Sequence, residues 1–403
     1  MLLLYTIGLN KYIVAFWILF FSVKLLLKSK ENPYMMLLFG IITYINISLV
    51  FSDILEVVSP LSANTLSWQR SIRDSNQWLL GACCLSIMLG VFNVFVDSSF
   101  ARESRNYSEI EMKDNPIIFY VGMIGAFFIL VFFSYASSTT GSYESNTNPL
   151  YEYCLVIIPI LWLYSGNKII RKILLTVFIA IYVIKAILHG DRSSMIPMAL
   201  FLYFMYFGDR KISGVKIVFF ALGGILFSNL ISVYRISSSW NGVIQNFLSR
   251  YGGTLFTSDT VSMSYYTSVV VEITHNEVAT PWKYFFDFVL GLFLGGGFRN
   301  ADVNTFVLNY HFHRYGGFFY SWFYFWFGIT GVILGAVMVG IILKKAFTRK
   351  GNYFEMLKLM IIIFSFRWYL YSPLVFFRSI LIVFSVVYGI CYWFDNVSSK
   401  YIS

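Results

Sequence analysis

Charge is scarce in this sequence: 12% of its 403 residues are Asp, Glu, Lys or Arg, while 58% are apolar. Soluble domains carry about 25% charged and about 45–50% apolar residues. A water-soluble fold of this length has no room to hide so much apolar surface, so the expected solvent is a lipid bilayer. A mean hydropathy of +0.69 agrees. Cysteine is scarce too. Cys83, Cys84, Cys154 and Cys391 all fall inside or at the ends of apolar runs. None belongs to a CxxC or Cys/His set, which excludes a disulfide framework and leaves them as packing residues. The chain has no Asp-x-Asp triplet to hold a divalent cation against a diphosphate. His311 and His313 share a face only in a strand, and no nearby Asp or Cys completes a ligand set. The chemistry expected here is therefore metal-independent and needs no cofactor. No internal repeat and no disordered tail are visible. The first apolar run has neither a basic leader nor a small-residue cleavage site, so it reads as a retained helix.

What is present is long apolar runs and aromatics, which make up 20% of the chain. A spanning helix needs about 20 mostly apolar residues. Eleven such runs are expected at 3–24, 34–54, 78–96, 117–136, 150–165, 169–188, 194–208, 214–234, 318–343, 355–371 and 379–394. The net charge of +10 is not a nucleic-acid signal, because the 30 basic residues sit in small clusters between these runs. Eighteen of the 30 fall on one side, in groups such as Lys24, Lys28 and Lys30, or Lys344, Lys345, Arg349 and Lys350. The positive-inside rule then places the amino terminus outside and the carboxyl terminus inside, as an odd number of spans requires. The expected organisation is spans one to eight over 1–234, a large outside loop over 235–317, and spans nine to eleven over 318–403.

A loop of that length without a core of its own is uncommon and often functional. Val261 to Ile273 mixes aromatic and aliphatic residues with Ser and Thr, and fits an interfacial helix or a strand. Tyr284 to Leu294 is too short to span and too apolar for water, which suits a re-entrant or interface-lying helix. Gly295-Gly296-Gly297 follows and allows close backbone approach, yet it lacks the preceding strand and the GKS/GKT ending of a nucleotide loop. The loop ends in Asn309-Tyr310-His311-Phe312-His313-Arg314-Tyr315-Gly316-Gly317. Its aromatics suit an interface belt first, and a sugar-stacking surface second.

Six outside arginines carry the chemical signal: Arg192, Arg235, Arg250, Arg299, Arg314 and Arg378. Guanidinium groups bind phosphate bidentately and stay charged at any working pH. Arg367 lies within the tenth span, where an ionisable group is a functional hypothesis by default, with snorkelling or an internal ion pair as the alternative. Arg192 has added support from His189-Gly190-Asp191-Arg192-Ser193-Ser194, which leads into span seven. The free N–H groups of a helix start favour an anion there, with Ser193 or Ser194 as caps. Asp191 is equally suited to capping that helix, orienting Arg192 or acting as a base.

In this arrangement the chain resembles the bacterial O-antigen and capsule repeat-unit polymerases, the Wzy-type family. Those proteins have ten to fourteen spans, a large late periplasmic loop and a Gly-x-Arg-[Ser/Gly] turn upstream of it. Gly190-Asp191-Arg192-Ser193 matches that turn, and Phe327-Gly328-Ile329-Thr330-Gly331 matches the family's Phe-Gly-x-x-Gly step. The organisation matches over nearly the whole chain, whereas the motifs cover about 189–194 and 295–331. The His311 and His313 pair departs from the polymerases and brings in the related O-antigen ligases.

The resemblance implies an all-α, GT-C-like membrane glycosyltransferase at the periplasmic face of the bacterial inner membrane. Its substrates would be undecaprenyl-pyrophosphate-linked oligosaccharides in membrane lipid, with no nucleic acid. A flippase and a chain-length regulator of the same pathway are the implied partners. It further implies Arg192, Asp191, His311 and Asp302 as catalytic candidates. Arg235, Arg250, Arg299, Arg314, Arg378 and His313 become pyrophosphate-binding candidates. Asp287 and Glu272 join Asp191, Asp302 and His311 as possible bases for the acceptor hydroxyl. The first competing function is an O-antigen ligase acting on lipid A-core. A lipid-linked oligosaccharide flippase is disfavoured by the absence of matching halves. A membrane O-acyltransferase lacks its arginine and histidine signals near the first span.

Overall fold

The computed structural model describes residues 10–57, 72–73, 75–96, 110–133, 148–189, 191–207, 258–310 and 316–402, with positions 230, 233, 242, 244, 245 and 247. The helices in chain order begin with α1 (Lys11–Lys28), α2 (Pro33–Leu49) and its π-helical extension Val50–Ile54, α3 (Asn76–Phe95) and α4 (Pro116–Phe132). Next come α5 (Pro149–Leu163), α6 (Ile169–Leu188), α7 (Arg192–Phe207), α8 (Asp259–Glu277), α9 (Lys283–Leu294) and a 3-10 turn, Val303–Asn309. The chain ends with α10 (Phe319–Thr348), α11 (Asn352–Ile363), α12 (Ser365–Leu370), a π-helical stretch Val375–Val383 and α13 (Phe384–Ile402). No strand occurs among the described residues.

Four of these helical segments are long and apolar enough to cross a membrane: Pro33–Ile54, Asn76–Phe95, Phe319–Thr348 and Val375–Ser398. The described residues are thus helical throughout their regular structure, with the long apolar helices of a membrane protein. Shorter apolar helices, Pro116–Phe132, Leu150–Leu163 and Ser193–Phe207, fall on further expected spans. The expected span at 214–234 lies outside the described residues apart from positions 230 and 233.

The helix starts follow from local sequence. Asn32-Pro33, Asn115-Pro116 and Asn148-Pro149 each place a capping Asn before a Pro at the first helical position. The Asn side chain accepts from an N–H that has no partner inside the helix, and Pro has no N–H to satisfy. The chain divides into two compact units, one formed by 1–106, 253–348 and 365–376, the other by 107–252, 349–364 and 377–403.

In the first unit, small residues let helices approach closely. A Cβ on Gly340 would lie 2.5 Å from the Phe95 ring, so α10 and α3 pack backbone against ring. Polar side chains bond across helices where no water competes. Asn46 Nδ2 donates to Ser22 Oγ at 2.9 Å, and Tyr369 Oη donates to Asn46 Oδ1 at 2.9 Å. Helix α8 settles the ambiguity of 261–273. It is a helix buried on all sides, with Val261, Tyr265, Val269, Val271, Glu272 and Thr274 all enclosed. Ser268 Oγ accepts from Phe318 N, and the His275 ring nitrogen bonds Phe325 O, so α8 runs alongside the start of α10 in the same direction.

The expected ninth span is not one straight helix. Phe327 and Gly328 leave helical geometry inside α10, and Gly328 takes φ 63°, ψ −151°, a region open essentially to glycine. The chain bends back so sharply that a Cβ added to Gly331 would collide with the Phe323 carbonyl, and a Cβ on Gly335 would lie 2.6 Å from the Phe323 ring. In a straight helix those positions would sit about 12 and about 18 Å from Phe323 along the axis. Residues 319–326 therefore form a separate short helix, buried at every position, and the apolar span proper is 329–348.

In the second unit, ion pairs tie segment ends together. Arg171 Nη1 bonds Asp114 Oδ1 at 2.7 Å and also reaches the Tyr164 and Ser165 carbonyls. Asp395 accepts from Lys113 Nζ at 2.7 Å and from Asn115 Nδ2 at 3.0 Å, joining α13 to the start of α4. Tyr151 stacks on Tyr182 at 4.3 Å, joining α5 to α6.

Two expectations follow. Gly331→Ala has no room beside the Phe323 carbonyl and should cost about 1–3 kcal/mol by overpacking, read as a lower thermal midpoint of the solubilised protein. The hydrogen bond from Arg171 holds the Asp114 carboxyl below the usual carboxylate range. A depressed carboxyl stabilises the fold above its unfolded pKa, and that contribution disappears as pH falls through the folded value. The thermal midpoint should fall across that acidic window, and Asp114→Asn should flatten this part of the pH profile.

Candidate functional site

The turn before α7 is built by Asp191. Its Oδ1 accepts from Ser193 Oγ at 2.7 Å and from Ser194 N at 3.2 Å, while its own N–H donates to Ala186 O at 2.8 Å. Asp191 is buried, so its carboxylate closes the start of the helix and ties it to the end of α6. Of the three roles open to Asp191, capping is the one that the geometry displays. Arg192 is the first residue of α7, placed by that cap. The Arg192 side chain lies outside the described residues, as does Gly190. His189 ends α6, with Nδ1 2.9 Å from Lys185 O.

Arg378 belongs to the same unit. Its Nη2 donates to Tyr153 Oη at 2.5 Å, and its guanidinium lies 5.7 Å from the centre of the Tyr153 ring. Tyr153 of α5 thus orients Arg378 through one nitrogen and leaves the rest of a planar five-donor group for other acceptors.

Arg299, Asp287 and Asp302 belong to the other unit. Arg299 is exposed and adopts φ 45°, a left-handed conformation that a non-glycine residue rarely takes. Its Nη1 is 3.9 Å from Asp287 Oδ1 on α9, a loose ion pair. Asp302 caps the 3-10 turn, with Oδ1 accepting from Asn304 N at 3.0 Å. Arg367 is buried in α12. Arg235, Arg250, His311, His313 and Arg314 lie outside the described residues. Among the described residues, no group of three or more His, Cys, Asp or Glu is arranged to hold a metal ion.

Two buried carboxyl clusters in this unit escape a reading by motif. At the end of α2, Asp53 Oδ2 accepts from Ser52 at 2.5 Å and from Ser262 at 2.6 Å, and Arg73 Nη2 stands 3.6 Å from Oδ1. An acid inside an apolar run with an arginine just beyond it was the available signal. Ten residues along α8, Glu272 is fully enclosed. A Cβ on Gly81 would meet Glu272 Oε1 and the Tyr320 hydroxyl, each at 2.9 Å, so the missing methyl of Gly81 makes the space for this pair. The Tyr320 hydroxyl faces the carboxyl, no cation among the described residues balances it, and burial pushes the Glu272 carboxyl well above the usual range. Burial therefore favours the neutral acid at Glu272, because an unpaired carboxylate in such surroundings is far costlier than a proton.

Comparison with family models, curated proteins and solved structures finds no match to the chain.

Since a neutral amide fits where a neutral acid does, Glu272→Gln should leave the thermal midpoint near that of the unaltered protein. Gly81→Ala should lower stability by about 1–3 kcal/mol by crowding the pair. A large loss in Glu272→Gln would show instead that the carboxylate is ionised and paired.

Proposed function

We propose that this protein is a repeat-unit polymerase of bacterial surface polysaccharide, acting at the periplasmic face of the inner membrane, amino terminus outside. The carrying observation is the Asp191 cap, which fixes Arg192 as the first residue of α7. A phosphate beside that position meets the positive end of the helix dipole and, in this reading, the Arg192 guanidinium. The resemblance at Gly190-Asp191-Arg192-Ser193 and Phe327-Gly328-Ile329-Thr330-Gly331 supports the same reading.

In this reaction the bond between the anomeric carbon of the growing glycan and the oxygen of its undecaprenyl pyrophosphate breaks. A hydroxyl oxygen of an incoming lipid-linked repeat unit bonds to that carbon, and its proton passes to a base. Negative charge gathers on the departing pyrophosphate, where fixed positive charge lowers the barrier most. Arg192 takes that role, with Arg378 as a second phosphate ligand held by Tyr153. Asp191 is a positioning residue, because its carboxylate is engaged in the cap. Asp302 and Asp287 are likewise engaged, the first in a cap and the second with Arg299. His311, another base candidate of the sequence reading, lies outside the described residues.

Reconstituted protein supplied with lipid-linked repeat units should produce a ladder of lengthened glycans. Arg192→Ala should abolish the ladder while membrane yield persists, and a normal ladder from that variant removes Arg192 from the mechanism. Transfer of glycan to lipid A-core alone would make the protein a ligase. Translocation without new bonds would overturn both enzyme readings.

A further inference from the structure

Helix α9 has two apolar faces and only one of them is covered. On the covered face, the Phe288 ring packs on Trp322 and Trp326, and a Cβ on Gly291 would lie 2.5 Å from Ala301. The other face carries Trp282, Phe286, Leu290, Phe293 and Leu294, all exposed, with Phe293 at 69%. A helix that is apolar all round is stable only inside protein or lipid. At twelve residues it is about 18 Å long and falls short of the roughly 30 Å hydrocarbon core.

The uncovered face does not end at α9. The Phe285 ring meets the half-exposed Phe327 ring at 5.3 Å. From Phe327 the exposed strip continues along the span 329–348 through Ile333, Leu334, Met338 and Ile341. It lies on Phe319–Thr348, one of the segments long and apolar enough to cross a membrane, so its exposed strip is lipid-facing surface. Charge is placed to suit the same environment. Lys283 stands exposed at the start of α9 and Arg299 stands exposed just beyond its end, where basic residues anchor a helix to headgroups.

We propose that the Trp282–Leu294 face of α9 docks into the acyl chains of one leaflet without crossing the bilayer, forming one lipid-contact surface with the 329–348 strip. This assignment does not depend on the polymerase reading. The sequence left re-entrant and interface-lying forms open, and the exposed face adds the surface by which either form meets lipid.

The unaltered protein, reconstituted in phosphatidylethanolamine–phosphatidylglycerol vesicles that include a phospholipid with a diazirine on its acyl chain, tests this by photolabelling and peptide mapping. Label should appear on Phe286, Leu290 and Phe293 at the intensity seen on Leu334 and Met338, which serve as the internal positive control. Loss of label from 282–294 while 329–348 is labelled would overturn the proposal, as would cross-links from this segment to a second copy of the chain. A second measurement uses nitroxides at Phe286→Cys and Phe293→Cys, with half-buried Cys391 replaced by Ser. Both labels should collide with oxygen more than with a water-soluble nickel chelate, and the reverse order would equally overturn it.

Discussion

A helix in contact with lipid must satisfy its own backbone, so a break in one has to be sealed by the protein around it. The break at Phe327–Gly328 is the place where the first unit meets that demand. Gly328 takes a conformation closed to other residues, and Gly331 and Gly335 let the returning helix lie directly on Phe323. Without two missing side chains the chain could not return so closely, and 319–326 would stay in line with 329–348. The break sets 319–326 apart as a short helix, and that helix in turn supports α8 on one side and α9 on another. The Phe-Gly-x-x-Gly step thus has a mechanical meaning that is independent of any reaction.

The aromatic content follows from the same geometry. The 319–326 helix is enclosed at every position, and large rings fill the space between short, mutually inclined helices where straight aliphatic packing would leave gaps. Trp322, Trp326, Phe323 and Phe325 all touch rings from α9 or from neighbouring turns. Many of the Tyr and Trp residues therefore fill the core of a broken-helix region, a use that a belt at the membrane boundary does not describe.

How much of this was legible in the sequence differs by element. Apolar runs of about twenty residues are a local signal, and α2, α3 and α4 sit close to where those runs put them. The break in α10 was not legible, because Phe-Gly inside an apolar run reads as continuing helix until the contact with Phe323 is seen. The segment 261–273 gave no period because α8 is buried on all sides, and a helix without a solvent face shows neither a 3.6-residue nor a two-residue pattern. At the candidate site, the turn at Asp191 was legible as a cap or a catalytic acid, and two hydrogen bonds display the cap. Tyr153 as the partner of Arg378 was invisible, since 225 positions separate them. The buried acids at Asp53 and Glu272 were missed or left unranked because their partners, Ser262, Gly81 and Tyr320, belong to no motif.

These acids and arginines divide by what burial allows. Glu272 is enclosed with no cation beside it among the described residues, and burial favours its neutral form, which suits it to holding α8 against α3 and 319–326. Asp53 is enclosed with two hydroxyls and an arginine nearby, and it fastens the end of α2 to α8. Neither has the exposure that a group must have to reach a substrate. Arg378 and Arg299 keep donors that their protein partners do not use, since one Tyr hydroxyl and one distant carboxylate cannot occupy five N–H groups. Charge retained against the low-charge character of the whole chain is thus of two kinds. One kind is spent on joining helices, and the other is held by a neighbouring ring or acid with most of its donors unspent, the condition that a phosphate ligand requires.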